Sequence, residues 1–167
     1  MEIRILTADD AEEYRTLRLR ALREEPEAFG SSWEEENARP LEQTMVRLVA
    51  HGMTAFGGFD DAGRLAGMVR LRRQDGVKAE HKADILGMYV APEVRGRGLG
   101  RMLLDAAITQ ARATPAIEQL MLAVNATNIP ARNLYLAMGF EPFGREPRAL
   151  KIGDRYFDED YMALFLS

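Results

Sequence analysis

The sequence contains no cysteine. Disulfides, thiolate nucleophiles and cysteine-type zinc sites are therefore excluded. The absence fits a reducing cytosol, and a cytoplasmic protein is expected. Histidine is almost as scarce. His51 and His81 are the only two, and their spacing suggests no metal site, so none is expected. Long apolar runs are missing as well. Nothing approaches the ~20 apolar residues of a membrane span. The start, Met1 to Leu6, alternates charged and apolar residues, and Asp9, Asp10, Glu12 and Glu13 follow, unlike a signal peptide. Charge of one sign is also modest: 22 basic and 26 acidic residues leave a net −4. With no dominant basic face in prospect, neither nucleic acid nor membrane is an expected partner.

The 167 residues suit one compact domain, and no repeat, low-complexity tail or linker divides them, so residues 1–167 are expected to form a single domain. Ile3 and Ile5 read as a first strand, with Thr7 or Asp9 capping a helix whose Tyr14, Leu17, Ala21 and Leu22 share a face. Pro26 ends that helix. Ser32 caps a second helical piece carrying Glu34, Glu35 and Glu36, and Pro40 splits it before Met45, Leu48 and Val49. Strands are predicted over 54–59, 64–73 and 84–90, joined by Asp60-Asp61-Ala62-Gly63 and Asp75-Gly76. These connections are too short for a crossover helix, so the three strands form an antiparallel meander.

Helical periodicity returns after Gly98 in Leu99, Met102, Leu103, Ala106 and Ala107, and Pro115 closes it. Leu120, Leu122 and Val124 alternate as a strand. Asn128 caps a further helix with Pro130 in its first turn, and Gly139 stops it. Residues 142–150 and 155–166 read as two strands around Gly153-Asp154. The order β-α-α-β-β-β-α-β-α-β-β has too few crossovers for a doubly wound nucleotide fold.

The segment richest in chemistry is Arg95-Gly96-Arg97-Gly98-Leu99-Gly100-Arg101. Alternate glycines let the backbone turn tightly and approach a ligand. Free N–H groups at the following helix start can meet phosphate oxygens, and the arginines add positive charge. The Gly-Lys-Ser/Thr ending of a P-loop is missing. The same residues also read as a glycine-rich capping turn with solvated arginines.

This segment resembles the acetyl-CoA-binding motif of the GNAT (GCN5-related N-acetyltransferase) superfamily, Arg/Gln-x-x-Gly-x-Gly/Ala, filled here by Arg95, Gly98 and Gly100. Met88-Tyr89-Val90-Ala91-Pro92 is similar to the family's preceding strand end. Asn128-x-x-Ala131-x-x-Leu134-Tyr135, followed by Gly139-Phe140, resembles a second family motif. The resemblance implies an α+β fold, layered α/β/α, with a mixed, mostly antiparallel sheet and splayed fourth and fifth strands. It implies acetyl-CoA as cofactor and transfer of acetyl to a primary amine by direct attack in a ternary complex. The amine would belong to a small molecule or a peptide or protein N-terminus. A non-catalytic acyl-CoA-binding regulator is the alternative, and a homodimer is left open.

On that resemblance the cofactor would meet Leu86, Met88, Tyr89 and Val90 of the fourth strand, the segment Arg95, Gly96, Arg97, Gly98, Leu99, Gly100 and Arg101, and Asn128 and Tyr135. Gly87 lies where the family often bulges. Tyr135 would donate to the departing thiolate. Asp84 is the first choice of base, ahead of Glu80, His81 and Glu34. The acceptor wall would come from residues 24–40, with Phe29, Trp33 and Glu34 in contact and the neighbouring glutamates favouring a cation. Trp33 reads equally as a packing residue, and the glutamates as a solvated helix face. Asn128 can cap its helix, touch cofactor or do both. Asn125 can hydrogen-bond across the opening between the strands.

Overall fold

The computed structural model describes residues 1–166. Strand β1 (Glu2–Ile5) leads into a 3-10 turn at Ala8–Asp10 and helix α1 (Ala11–Glu24). The entry is fixed by Asp10, whose Oδ2 accepts from the Thr7 amide at 2.7 Å, a reciprocal cap rather than one made by Asp9. Helix α2 (Trp33–Asn37) starts at Ser32, whose Oγ accepts from the Glu35 amide at 3.2 Å while Glu35 accepts from the Ser32 amide at 3.0 Å. Pro40 then precedes α3 (Leu41–Leu48), where a missing N–H costs least.

Strands β2 (Met53–Phe59), β3 (Leu65–Arg73) and β4 (Lys82–Val90) form the expected meander; β4 begins two residues before the expected 84. Helix α4 (Leu99–Arg112) crosses over to β5 (Gln119–Asn125), and α5 (Ile129–Ala137) leads to the long hairpin β6 (Glu141–Ile152) and β7 (Arg155–Phe165). The sheet order is β1-β2-β3-β4-β5-β7-β6. Every pairing is antiparallel except β4 with β5.

Helix α4 lies on one face of the sheet. Leu99, Leu103, Leu104, Ala107, Ile108 and Ala111 face inward from it and are buried. Burying a leucine of this kind stabilises by roughly 1.5–3 kcal/mol. The approach is so close that a Cβ on Gly67 would lie 2.8 Å from Leu103 Cδ1. Helices α1 and α3 pack together beside β3 and β2. The result is the layered, mostly antiparallel α+β architecture expected from the sequence.

Candidate active site

Strands β4 and β5 pair only from Lys82–Asp84 to Gln119–Met121. Beyond Asp84 they diverge. Gly87 sits at φ +61°, and the register against β3 shifts between Met68 and Arg70. A bulge of this kind bends one strand and ends its pairing locally. The divergence opens a cleft of about 460 Å³ between Gly87–Val90 on one side and Ala123–Asn125 on the other.

The glycine-rich turn closes one end of this cleft. Gly98 is the N-cap of α4 at φ +87°, and among the described residues no side chain caps the helix. The first amides of a helix have no intrahelical partner and attract anions. A Cβ on Gly96 or Gly98 would meet nothing within 4 Å, so both glycines serve conformation and access rather than packing. Gly96, Gly98, Leu99, Gly100, Arg95 and Arg101 border the cleft. Arg97 does not: its guanidinium is bound to Asp61 at 2.5 Å in the turn between β2 and β3.

Met88, Tyr89 and Val90 also border the cleft. Tyr89 is buried and its hydroxyl donates to Glu24. Burial and that carboxylate push its pKa far up. Its side chain therefore anchors β4 to α1, while the strand's main chain is what remains to meet a ligand. Leu86 is paired opposite Arg70 and is not brought to the cleft.

Tyr135 reaches the cleft from α5. The ring is 6% exposed and packs edge-on against Phe140 at 5.9 Å. Burial raises its pKa to about 12, so the hydroxyl is a proton donor at neutral pH. Asn128 does cap α5, its Oδ1 accepting from the Ala131 amide at 3.2 Å, and it borders the same cleft. Asn125 is buried. Its Oδ1 accepts from the Thr127 amide and hydroxyl, and its Nδ2 donates to the Glu27 carbonyl at 3.3 Å. The end of β5 is thus tied to the loop after α1.

Asp84 is held elsewhere. Its two oxygens accept from Arg72 and Gln74, each at 2.8 Å, and it lies in the last paired step of β4 and β5, below the divergence. The structure does not bring it to the cleft. Sequence reasoning missed a different carboxylate. Glu159 of β7 stands directly opposite Asn125, which borders the cleft, while Glu159 itself lies beside the cleft rather than on its lining. It is partly buried, and its pKa is raised by burial and then by Glu146, its register partner on β6. Nothing local marks Glu159 among its acidic neighbours; the signal is its place in the hairpin.

Phe29, Trp33 and Glu34 do share a cleft, but it is a separate one of about 550 Å³, closed by Leu150, Lys151 and Ile152 of β6. Phe29 is buried beneath the Arg18 guanidinium at 4.5 Å, and Arg23 covers Trp33 at 4.0 Å. The glutamates are divided in their use: Glu35 caps α2 and Glu36 pairs with arginines, which leaves Glu34 on the surface.

The family model described as the Acetyltransferase (GNAT) family matches residues 18–140. The chain belongs to this family. Its fold is that of a GNAT acetyltransferase from Streptococcus pneumoniae, with a TM-score of 0.88, 24% identity and 98% of each chain covered. The yncA protein of Salmonella typhimurium, solved with its cofactor acetyl-CoA, has a TM-score of 0.87 at 19% identity, covering 100% of this chain and 94% of that one. By sequence, relatives in Pseudomonas paraeruginosa and Pseudomonas aeruginosa, both L-methionine sulfoximine/L-methionine sulfone acetyltransferases, are 34% identical over 79 residues. That match spans 47% of this chain and 45% of those relatives, about half the length of each.

Proposed function

We propose that this protein transfers the acetyl group of acetyl-CoA to a primary amine of a small molecule or a peptide N-terminus, by direct attack within a ternary complex. The observation that carries the reading is the continuity of one cleft from an uncapped helix start at Gly98 to the buried hydroxyl of Tyr135. The residues present fit acetyl-CoA. Open glycines and helix amides at Gly96–Arg101 suit a pyrophosphate. The unpaired length of β4 beyond Gly87 suits an extended amide-bearing arm, which an open strand edge binds as an added strand.

Acetyl-CoA supplies an activated thioester. Tyr135 is suited to give its proton to sulfur as the bond to the acyl carbon breaks. Burial helps by keeping that proton on oxygen until it is needed. An attacking amine must be neutral, and Glu159 is the carboxylate we assign to take its proton. Its desolvation moves it toward the range where a base works near neutrality. The Pseudomonas relatives named for acetylating amino-acid derivatives support a small-molecule amine.

The test is release of free thiol from acetyl-CoA on a panel of primary amines, with the acetylated products identified by mass spectrometry. Acceptor-dependent thiol release is expected, above a hydrolysis background measured without amine. Tight acetyl-CoA binding with no turnover on any amine would instead favour a binding protein.

A further inference from the structure

Helix α5 carries the proposed acid, yet little apolar surface holds it in place. Of its nine residues only Tyr135 is buried, while Ile129 and Leu136 are exposed. A helix this short takes its position from tertiary contacts rather than from its own propensity. Asn128 caps its start, but that contact lies within the segment itself. The polar side chain that reaches from α5 to the sheet is Arg132, whose Nε lies 2.8 Å from Oδ2 of Asp160 on β7.

Asp160 is 3% exposed. It stands opposite Val124 of β5, which borders the main cleft, and opposite Arg145 of β6. Arg145 Nε donates to its Oδ1 at 2.6 Å, and Arg145 Nη2 donates to its Oδ2 at 3.2 Å. Those hydrogen bonds, and then the charges of Arg145 and Arg132, hold the carboxyl below the usual carboxylate range against the effect of burial. A two-pronged arginine already completes a carboxylate. Arg132 is a second cation on the same group, and a buried ion pair adds little net stability because desolvation offsets its attraction. What the pair does supply is geometry. Arg132 precedes Tyr135 by three residues, less than one helical turn, so the two side chains leave neighbouring points of the helix. Beside Asp160 in β7 is Glu159, the base assigned above. One ion pair thus joins the helix of the proposed acid to the strand of the proposed base.

We infer that Asp160 is a positioning residue: through Arg132 it seats α5 on the sheet and so sets where the Tyr135 hydroxyl meets the cleft. The inference rests on the transfer reading above. Asp160 does not itself border the cleft. Its effect on the reaction passes through the placement of an acid, and a misplacement of about 1 Å costs about a hundredfold in rate.

D160N strands two guanidiniums without their anion and can fail to fold, so R132Q, R132K and R145Q carry the test. R132Q should lower kcat about tenfold and leave acetyl-CoA affinity within about threefold, because β4 and the glycine turn are untouched. R132K should recover part of the loss. R145Q breaks the other prong but leaves Arg132 on Asp160, and should keep kcat within about twofold. The deciding comparison is R132Q in the Tyr135→Phe background. With the hydroxyl gone, R132Q should change kcat by less than about twofold, a coupling that general loosening of the fold does not produce. Hydrogen exchange of the cofactor-free protein reads the anchor without turnover: amides of residues 129–137 should exchange about tenfold faster in R132Q and at the wild-type rate in R145Q. An equal loss of kcat with and without the hydroxyl, an equal loss in R145Q and R132Q, or unchanged exchange over α5 in R132Q would each overturn the positioning role and leave amine acetylation standing. A wild type that acetylates no amine would overturn the transfer reading and this role with it.

Discussion

Glu25 and Arg95 join the two sides of the cleft: Arg95 Nη2 donates to Glu25 Oε1 at 2.5 Å, while its Nε donates to the Val90 carbonyl at 2.8 Å. One side chain thereby fixes the end of β4, the start of the glycine turn and the loop after α1. Both partners are partly solvated, so the ion pair itself stabilises by only about 0–1 kcal/mol. R95A should leave the melting temperature nearly unchanged and weaken acetyl-CoA binding about tenfold, since it removes both a positioning contact and a positive charge. Titration calorimetry checks this, and unchanged affinity would show that the clasp does not shape the binding site.

Gly98 offers a sharper separation of strain from binding. An alanine there meets no neighbour but must hold φ +87°, a left-handed conformation that costs roughly 1–2 kcal/mol. For a domain of this size each kcal/mol lowers the melting temperature by about 2–4 °C. Gly76→Ala imposes a similar strain at φ +91° in the β3–β4 connection, far from the glycine turn in sequence. Both variants should lose comparable stability, and only Gly98→Ala should also weaken acetyl-CoA binding. Equal affinities in the two variants would remove Gly98 from the binding turn.

Tyr135→Phe keeps the ring packed on Phe140 and removes the hydroxyl. We expect kcat to fall about 10²-fold, the lower end of general acid catalysis, with acetyl-CoA affinity intact. Rapid-mix measurements that isolate the chemical step provide the check, and an unchanged rate would end the acid role. The raised pKa also fixes a sign in alkali. The folded state holds this proton better than the unfolded chain does. The stability this gives is complete below the ordinary tyrosine value of 10 and is lost as pH rises toward about 12. Wild type should therefore lose stability over that interval more steeply than Tyr135→Phe.

Glu159→Gln tests the base. Its carboxyl is raised by burial and by Glu146, so the ionised form is the one the fold disfavours. Above the folded pKa the charge costs stability, and Gln relieves it; the melting temperature at neutral pH should hold or rise. The rate should fall about 10²- to 10³-fold, within the range for losing a general base. Wild type should show a limb in kcat/KM that the variant lacks, leaving the variant only the ionisation of the amine. A full-rate variant would exclude Glu159.

The glycine turn, the Asn128 cap and the strand-to-helix order were legible in the sequence because each depends on neighbours a few residues away. Gly98 must precede a helix, Asn128 can reach only the amides just after it, and Tyr135 follows on the same helical face. The family resemblance was carried by these short-range patterns, so the glycine turn that borders one end of the cleft was readable before the fold was known. The bulge at Gly87 was expected only from the family resemblance; the structure shows it as a glycine at φ +61° beside the shift in pairing against β3.

Which charged groups are free was not readable, because long-range pairing decides it. Asp84 looked available until β3 brought Arg72 and Gln74 onto it. Glu36 looked like a solvated helix residue until Arg18 and Arg47 were folded around it. Glu159 has no distinguishing neighbour in sequence, and gains its desolvation only when β7 pairs with β5 and β6. Arg18 was one arginine among several on an amphipathic helix; packing α1 over β3 buried its guanidinium beside Arg70. Sequence determined the turn chemistry and element order of this protein, which are local. Tertiary structure decided which carboxylates and guanidiniums are consumed by partners and which face the cleft, because charge and burial are set by residues distant along the chain.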